Sequence, residues 1–218
     1  MNPAPRWLLA LHSSSAELGV GVRQLDGASP DRIASFPLGR GLSNQLLSCV
    51  EQVLPAAHWP ELGRLAVATG PGGFTGTRLT VVMARTLAQQ LQLPLDGVGS
   101  FLLMARRLGL SEPTWLVQEL PRRGLVAGLY GPEPDPGGSA AAGGRDAADV
   151  VELLTPRLHT DAACLAALHP APMRPAEVVV AADVATLLAI AQRAHQGDQP
   201  APWQPVLPLY PTSPVGTS

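Results

Sequence analysis

Apolar residues in the first half of the chain change their spacing from segment to segment, and this change predicts alternating strands and helices. Short apolar runs and every-second-residue alternation are typical of strands, whereas recurrence every three or four residues is typical of amphipathic helices. These patterns predict strands at Trp7–Leu11, Leu18–Val22, Ile33–Phe36, Leu65–Ala68 and Leu95–Val98, and helices at Ser43–Ala57, Thr77–Leu91 and Ser100–Leu108. The first two strands are expected to form an antiparallel hairpin around a polar turn.

Three predicted helices begin at a residue that can cap them. Ser43 and Ser100 precede helical patterns in the first half, and Asp183 precedes an Ala- and Leu-rich stretch that reaches about His195. An oxygen on a short side chain can accept a hydrogen bond from a free N–H of the first helical turn. We therefore expect all three residues to act as N-caps.

The second half of the chain has weaker periodicity and predicts fewer elements. Strands are predicted at Trp115–Val117, Leu125–Tyr130 and Glu177–Val180. Gly, Pro and Ala dominate residues 131–145, which favours a flexible surface loop, and the Pro-rich tail from residue 200 to 218 is expected to be extended. We predict a first domain over residues 1–108 and a divergent second domain over residues 109–218.

The helix predicted at Thr77–Leu91 is apolar around most of its circumference rather than along one stripe. Its apolar residues are Leu79, Val81, Val82, Met83, Ala84, Leu87, Ala88 and Leu91. A helix that is apolar nearly all round needs cover on two sides. We expect one side to pack on the sheet of its own domain and the other to contact a partner protein.

Composition narrows the class of protein further. Hydrophobic residues make up 46% of the chain and charged residues 15%, which is typical of a globular protein. The net charge is −2 and no Lys-rich segment is present, which argues against nucleic-acid binding by this chain alone. Neither a signal-peptide core nor an apolar stretch of about 20 residues occurs, so we expect a cytoplasmic protein without membrane contact.

A glycine-rich segment joins a predicted strand to the predicted helix at Thr77–Leu91. Its candidate site residues are Gly70, Pro71, Gly72, Gly73, Phe74, Thr75, Gly76 and Arg78. Such a turn can bind an anion at the helix N-terminus, but the common nucleotide motifs do not fit, since one needs a Lys and the other a Gly at Thr75. The alternative is a tight turn that lets the helix pack closely on the sheet.

Two segments of the first domain resemble a known family. Residues 70–78 read GPGGFTGTR and resemble the signature GPGSFTGLR of the TsaB family, also called YeaZ, with differences at Gly73 and Thr77. Residues 8–15, LLALHSSS, resemble the family's opening ILAIDTST at the correct distance upstream. The resemblance implies an α/β fold of the actin, Hsp70 and sugar-kinase (ASKHA) type, with two lobes that each contain a mixed sheet and helices.

The resemblance also implies a function. Members of this family are non-catalytic partners of TsaD, which with the ATPase TsaE transfers a threonylcarbamoyl group to adenosine in tRNAs that read codons beginning with A. We therefore expect a scaffold that forms a heterodimer with TsaD, reaches tRNA only through the complex, and can form a homodimer when alone. The expected interface residues lie on the first two helices and are Leu79, Val82, Met83, Leu47 and Val50.

His12 stands where the superfamily has an acidic residue that helps to organise Mg²⁺ and phosphate. A neutral imidazole does not replace a carboxylate as a hard oxygen ligand, so the turn His12, Ser13, Ser14 and Ser15 is expected to be a degenerate phosphate loop. We expect His12 to be a polar turn residue that is hydrogen-bonded to hydroxyls or solvent. No catalytic residue, metal or cofactor is predicted, and the alternatives are an independent ATPase or small-molecule kinase and a self-associating regulatory homodimer.

Overall fold

The structure, a computed structural model, describes residues 4–133 and 150–211. Its strands are β1 (Trp7–His12), β2 (Leu18–Gln24), β3 (Arg32–Phe36), β4 (Leu62–Ala68), β5 (Leu95–Val98), β6 (Thr114–Leu120), β7 (Gly124–Pro132), β8 (Val150–His159) and β9 (Met173–Pro175). Its helices are α1 (Leu42–Val53), α2 (Phe74–Leu91), α3 (Ser100–Leu108), α4 (Ala162–Leu168) and α5 (Val180–Gln196). Residues 134–145 of the predicted flexible loop and residues 212–218 of the predicted extended tail lie outside the described residues.

The chain divides into two compact units. The first contains the residues up to Ser100 together with Val178–Leu209, and the second contains Phe101–Glu177 and the residues from Tyr210 onward. The predicted boundary was at residue 108, whereas the first unit ends at Ser100 and resumes at Val178. It resumes because α5 packs on strands of the first sheet. The second unit is therefore inserted into the first.

The first unit is built on a mixed five-stranded sheet with the order β3-β2-β1-β4-β5. β1 and β2 pair antiparallel, as do β2 and β3, whereas β4 runs parallel to both β1 and β5. All five strands predicted for this part of the chain are confirmed. Parallel strands require a crossover connection, and here α1 lies between β3 and β4 while α2 connects β4 to β5.

The two faces of this sheet are covered by different helices. Leu9 and Leu11 of β1 belong to the buried cluster that α1 and α2 complete, and alternation along a strand puts the intervening residues on the opposite face. There α5 packs against β1, β2 and β4. A Cβ on Gly19 would lie 2.5 Å from a methyl carbon of Val180, so the absence of a side chain brings β2 close to α5.

The second unit has a mixed four-stranded sheet with the order β8-β7-β6-β9, in which β9 runs parallel to β6 and the other pairs are antiparallel. Trp115 and Leu129 are buried on one face together with Leu165 of α4. The predicted strands around Trp115 and Leu125 are present, but β8, α4 and β9 were not predicted. Both units thus contain a mixed sheet with helices, as the α/β prediction requires.

The predicted N-cap roles of Ser43 and Asp183 and one predicted strand are wrong. α1 has Gly41 at its N-cap, while the Ser43 hydroxyl lies 3.4 Å from the Asn44 side chain. The predicted strand at Glu177–Val180 is absent, because Val180 already begins α5. Asp183 lies inside the first turns of α5, and its carboxylate accepts a hydrogen bond of 2.9 Å from the backbone N–H of Val179.

Candidate functional site

The glycine-rich turn is shorter than the sequence predicts. α2 begins at Phe74 with Gly73 at its N-cap, so Phe74, Thr75 and Gly76 form the first turn of the helix rather than part of the loop. Gly70 has a φ angle of 97°, a backbone conformation that glycine adopts without strain and other residues rarely adopt. The loop proper is therefore confined to Gly70–Gly73.

The glycines of this loop allow a close approach to the hairpin turn that follows β1. A Cβ on Gly72 would lie 2.3 Å from the backbone oxygen of Ser14, and one on Gly76 would lie 2.7 Å from that of Ser13. The N–H of Gly73 donates a hydrogen bond of 2.8 Å to the Ser14 carbonyl. The space that the glycines leave is thus filled by this chain's own backbone.

Buried hydroxyl groups connect the same two segments to neighbouring helices. The Ser13 hydroxyl lies 2.8 Å from the Thr80 hydroxyl of α2, and the Ser14 hydroxyl is hydrogen-bonded to the Ser100 hydroxyl. Ser100 also accepts a hydrogen bond of 3.2 Å from the N–H of Gly70. The predicted N-cap role of Ser100 is therefore wrong, because α3 begins at Ser100 itself and its hydroxyl binds the loop.

His12 differs from the polar turn residue that the sequence predicts. It is the last residue of β1, it is fully buried, and neither of its ring nitrogens has a hydrogen-bond partner in the described part of the chain. Burial lowers the pKa of His12 to about 4, because the charged imidazolium is poorly solvated there. The imidazole is therefore neutral near pH 7 and brings no charge to the turn.

Ser15 is partly exposed, and its hydroxyl accepts a hydrogen bond of 3.2 Å from the N–H of Glu17. Within residues 4–133 and 150–211, no group of three or more His, Cys, Asp or Glu side chains is placed to hold a metal ion. None of the helices in those ranges is long and apolar enough to cross a membrane.

The predicted interface residues fall into three environments. Val50 is fully buried in the core of the first unit, so its assignment to an interface is wrong. Leu79 and Met83 are partly buried against the same core. Leu47 of α1 and Val82 of α2 are exposed by 54% and 53%, and the two helices pack side by side.

The first turns of α2 add a feature that the sequence does not identify. Phe74, assigned to the glycine loop by its motif, is 46% exposed at the start of the helix, and Arg78 is exposed one turn later. The contacts of Thr80 and Ser100 with the hairpin turn were also not predicted. Their partners Ser13 and Ser14 are 67 and 86 residues away in sequence, and no spacing rule links such positions.

Comparison by sequence identifies relatives of part of the chain. Residues 37–125 match the family model described as TsaD, tRNA N6-adenosine threonylcarbamoyltransferase. The chain is 31% identical over 130 residues to the tRNA threonylcarbamoyladenosine biosynthesis protein TsaB of Bacillus subtilis (strain 168), a match that covers 56% of this chain and 54% of that protein. The chain therefore matches about half the length of this curated relative.

Comparison by structure covers nearly the whole chain. YeaZ from Pseudomonas aeruginosa superposes with a TM-score of 0.63 at 20% identity, covering 94% of this chain and 99% of that one. A protein described as similar to peptidase YeaZ from the same organism gives a TM-score of 0.66 at 20% identity, with coverages of 95% and 100%. At this identity the likeness concerns the fold.

The two mixed sheets with their helices define an α/β protein, and its fold is the one that the YeaZ structures have. The chain is thus similar in sequence to TsaB over about half of its length and similar in fold to YeaZ over nearly all of it.

Proposed function

We propose that this chain is the scaffold subunit that binds TsaD in the machinery that makes threonylcarbamoyladenosine on tRNA. The observation that carries the proposal is the pair of exposed apolar side chains, Leu47 and Val82, on the adjacent helices α1 and α2. Both residues lie inside the segment 37–125 that matches the TsaD family model. A TsaD protein would thus present a related helix pair to this one.

Related surfaces on two proteins favour a nearly symmetric contact. In a two-fold interface the same patch of each partner meets its equivalent, so apolar residues on one helix pair are buried by those on the other. Full burial of a Leu or Val side chain contributes about 1.5–3 kcal/mol. Leu47, Val82 and Phe74 are exposed by 54%, 53% and 46%, so each has about half of that burial left to gain from a partner.

The proposal assigns no transfer chemistry to this chain. The glycine loop is occupied by the backbone of Ser13 and Ser14, and His12 is neutral and buried, which supports a role without Mg-ATP turnover. Transfer of the threonylcarbamoyl group is then the task of TsaD, and ATP hydrolysis that of TsaE. With a net charge of −2, this chain would meet tRNA only through the complex.

The proposal is tested by measuring binding to TsaD of the same organism. Val82→Asp is expected to weaken binding at least tenfold, because a carboxylate would be buried without a partner. Since Val82 is 53% exposed, the free chain should retain its thermal midpoint. Leu168→Asp, which changes a 61% exposed Leu of the second unit, is the matched control and should bind like the wild type.

Two results would contradict this mapping. Undiminished binding by Val82→Asp would remove the helix pair from the interface, and failure of the wild-type chain to bind TsaD would remove the proposed function itself. The homodimer expected of the isolated chain uses the same face in this scheme, so Val82→Asp should also reduce self-association in sedimentation velocity.

A further inference from the structure

The segment that follows α5 returns along the edge of the first sheet. We call residues 199–209 the C-terminal strap. Its backbone carbonyl at Ala201 accepts a hydrogen bond of 2.8 Å from the N–H of Leu95 in β5, and the N–H of Leu209 donates one of 2.7 Å to Thr69. The guanidinium of Arg64 donates a hydrogen bond of 3.0 Å to the Gln199 carbonyl. Both ends of the strap are thus bound to the first unit.

The strap lies on the same face of the sheet as α1 and α2. Val206 is buried in the cluster that these helices complete, and Trp203 packs against it. From α2, Arg85 donates a hydrogen bond of 3.0 Å to the Val206 carbonyl and lies 5.6 Å from the centre of the Trp203 ring. α1 covers β2 and β3, and α2 covers β1, β4 and β5, so the order across this face is α1, α2, strap.

Exposed apolar side chains concentrate on this face. In the described part of the first unit, the large hydrophobic residues that are exposed are Leu47, Phe74, Val82, Val179 and Leu207. Four of these five belong to α1, α2 or the strap, and Leu207 is exposed by 60%, more than the others. Single exposed apolar residues are ordinary, but a group along one surface marks an interaction site.

We propose that Leu207 of the strap is a contact residue for the same TsaD-type partner that α1 and α2 bind, and that Arg85 is the positioning residue that holds the strap beside α2. This inference rests on the proposed function. Arg85 is three residues after Val82, and residues at that spacing are neighbours on a helix surface. The strap thereby extends the apolar surface of α2 away from α1.

The width of this surface fits a partner that presents two helices. Packed helices lie about 8–10 Å apart, so a partner helix pair needs more than the single groove between α1 and α2. The strap lies beside α2 on the side away from α1, so a second partner helix could pack against α2 and the strap. Because the segment 37–125 matches the TsaD family model, a TsaD protein with a related helix pair is the occupant that we propose.

The experiment measures the affinity of the full chain for TsaD of the same organism. Leu207→Asp is expected to weaken binding about tenfold or more, as for a buried interface anchor. Leu168→Asp on α4, equally exposed at 61%, should bind like the wild type. Thermal midpoints of both variants should match the wild type, because neither side chain is buried in the free chain.

A second variant separates positioning from simple structural damage. Arg85→Ala is expected to weaken TsaD binding and also to speed amide hydrogen exchange at Leu209, whose N–H is bonded to Thr69. Leu207→Asp should leave that exchange rate unchanged. Arg85→Lys keeps the positive charge near Trp203 and should restore part of both properties.

The outcomes distinguish the inference from the function on which it rests. If Val82→Asp weakens binding and Leu207→Asp does not, the strap is no part of the interface while the proposed function stands. If the wild type fails to bind TsaD, the proposed function fails, and the strap inference with it. If Leu207→Asp reduces only self-association, the occupant is a second copy of this chain and the inference is overturned.

Discussion

Burial keeps the imidazole of His12 neutral in the folded chain, and this has a consequence for stability. The pKa falls from 6.5 to about 4 on folding. Below pH 6.5 the unfolded chain takes up a proton that the folded chain binds only near pH 4, so stability is lost as the pH falls through this window. At about 1.4 kcal/mol per pKa unit, this lowers the free energy of unfolding by a few kcal/mol at most between pH 7 and pH 4.

Replacement of His12 by Leu removes the side chain that takes up this proton. We expect the free energy of unfolding of His12→Leu to fall less steeply between pH 7 and pH 4 than that of the wild type, as measured in urea at several pH values. The other four histidines are unchanged, so the difference between the two curves isolates His12. Parallel curves would show that His12 is not a buried neutral group.

Gly72 and Gly73 are adjacent, but only Gly73 has room for a side chain. A Cβ at Gly72 would lie 2.3 Å from the Ser14 backbone oxygen, whereas one at Gly73 would make its nearest contact, with Ser15, at 3.5 Å. Gly73 is also one of the positions where this chain departs from the GPGSFTGLR signature, and there a Ser side chain has room. The absence of a side chain is therefore needed at Gly72 and not at Gly73.

These contacts predict different effects of the same substitution. Gly72→Ala should destabilise the chain by about 1–3 kcal/mol, since the hairpin turn must move away. Gly73→Ala should change stability by less, because it makes no such contact and the smaller freedom of alanine in the unfolded chain offsets part of its poorer capping of α2. Urea unfolding of the two variants tests this, and equal destabilisation by both would contradict the close contact with Ser14.

The loop from Gly70 to Gly73 packs directly on the hairpin turn, and this contact disfavours nucleotide binding there. Calorimetry of the isolated chain with Mg-ATP is expected to show no binding at micromolar nucleotide. The physical reason is that a phosphate at this loop would have to displace the Ser14 carbonyl, which already accepts the Gly73 N–H. Micromolar affinity with turnover would instead support the independent ATPase or kinase.

Sequence reasoning predicts elements well where burial is regular. The strands of the first sheet are buried and give apolar runs, and α1 and α2 follow the spacing of their core residues. That spacing also shows why Val50 does not belong to the interface: with Leu46 and Val53 it forms the arc that faces the sheet, and Leu47 lies outside it. The glycine motif correctly places the turn, but the contact partners Thr80 and Ser100 depend on the tertiary fold.

Elements in the second half of the chain are less predictable for physical reasons. β8 alternates irregularly between buried and exposed residues, and β9 has three residues, all exposed. The apolar run from Val178 to Val180 is compatible with a strand or a helix. The helix forms because Val184, Leu187 and Leu188 continue it as a stripe buried on the first sheet, a long-range contact that local sequence does not reveal.

At the scale of the whole molecule, the first unit needs the late segment Val178–Leu209 to cover its sheet. The face of its sheet that carries Leu8 and Gly21 is covered by α5, and the strap runs along β5. A fragment of residues 1–108, the domain predicted from sequence, would leave this face open to water. Exposing the apolar surface that Val184, Leu187 and Leu188 bury removes several kcal/mol of stabilisation, comparable to the whole stability of a small domain.

We therefore expect the fragment 1–108 to unfold without a cooperative transition or to aggregate. A chain in which residues 1–100 are joined by a flexible Gly/Ser linker to residues 178–211 should instead unfold cooperatively, since it restores α5 and the strap without the inserted unit. Circular dichroism during thermal unfolding of both proteins makes the comparison. Cooperative unfolding of 1–108 alone would show that α5 is dispensable, and failure of the linked protein would show that the first unit depends on the inserted one.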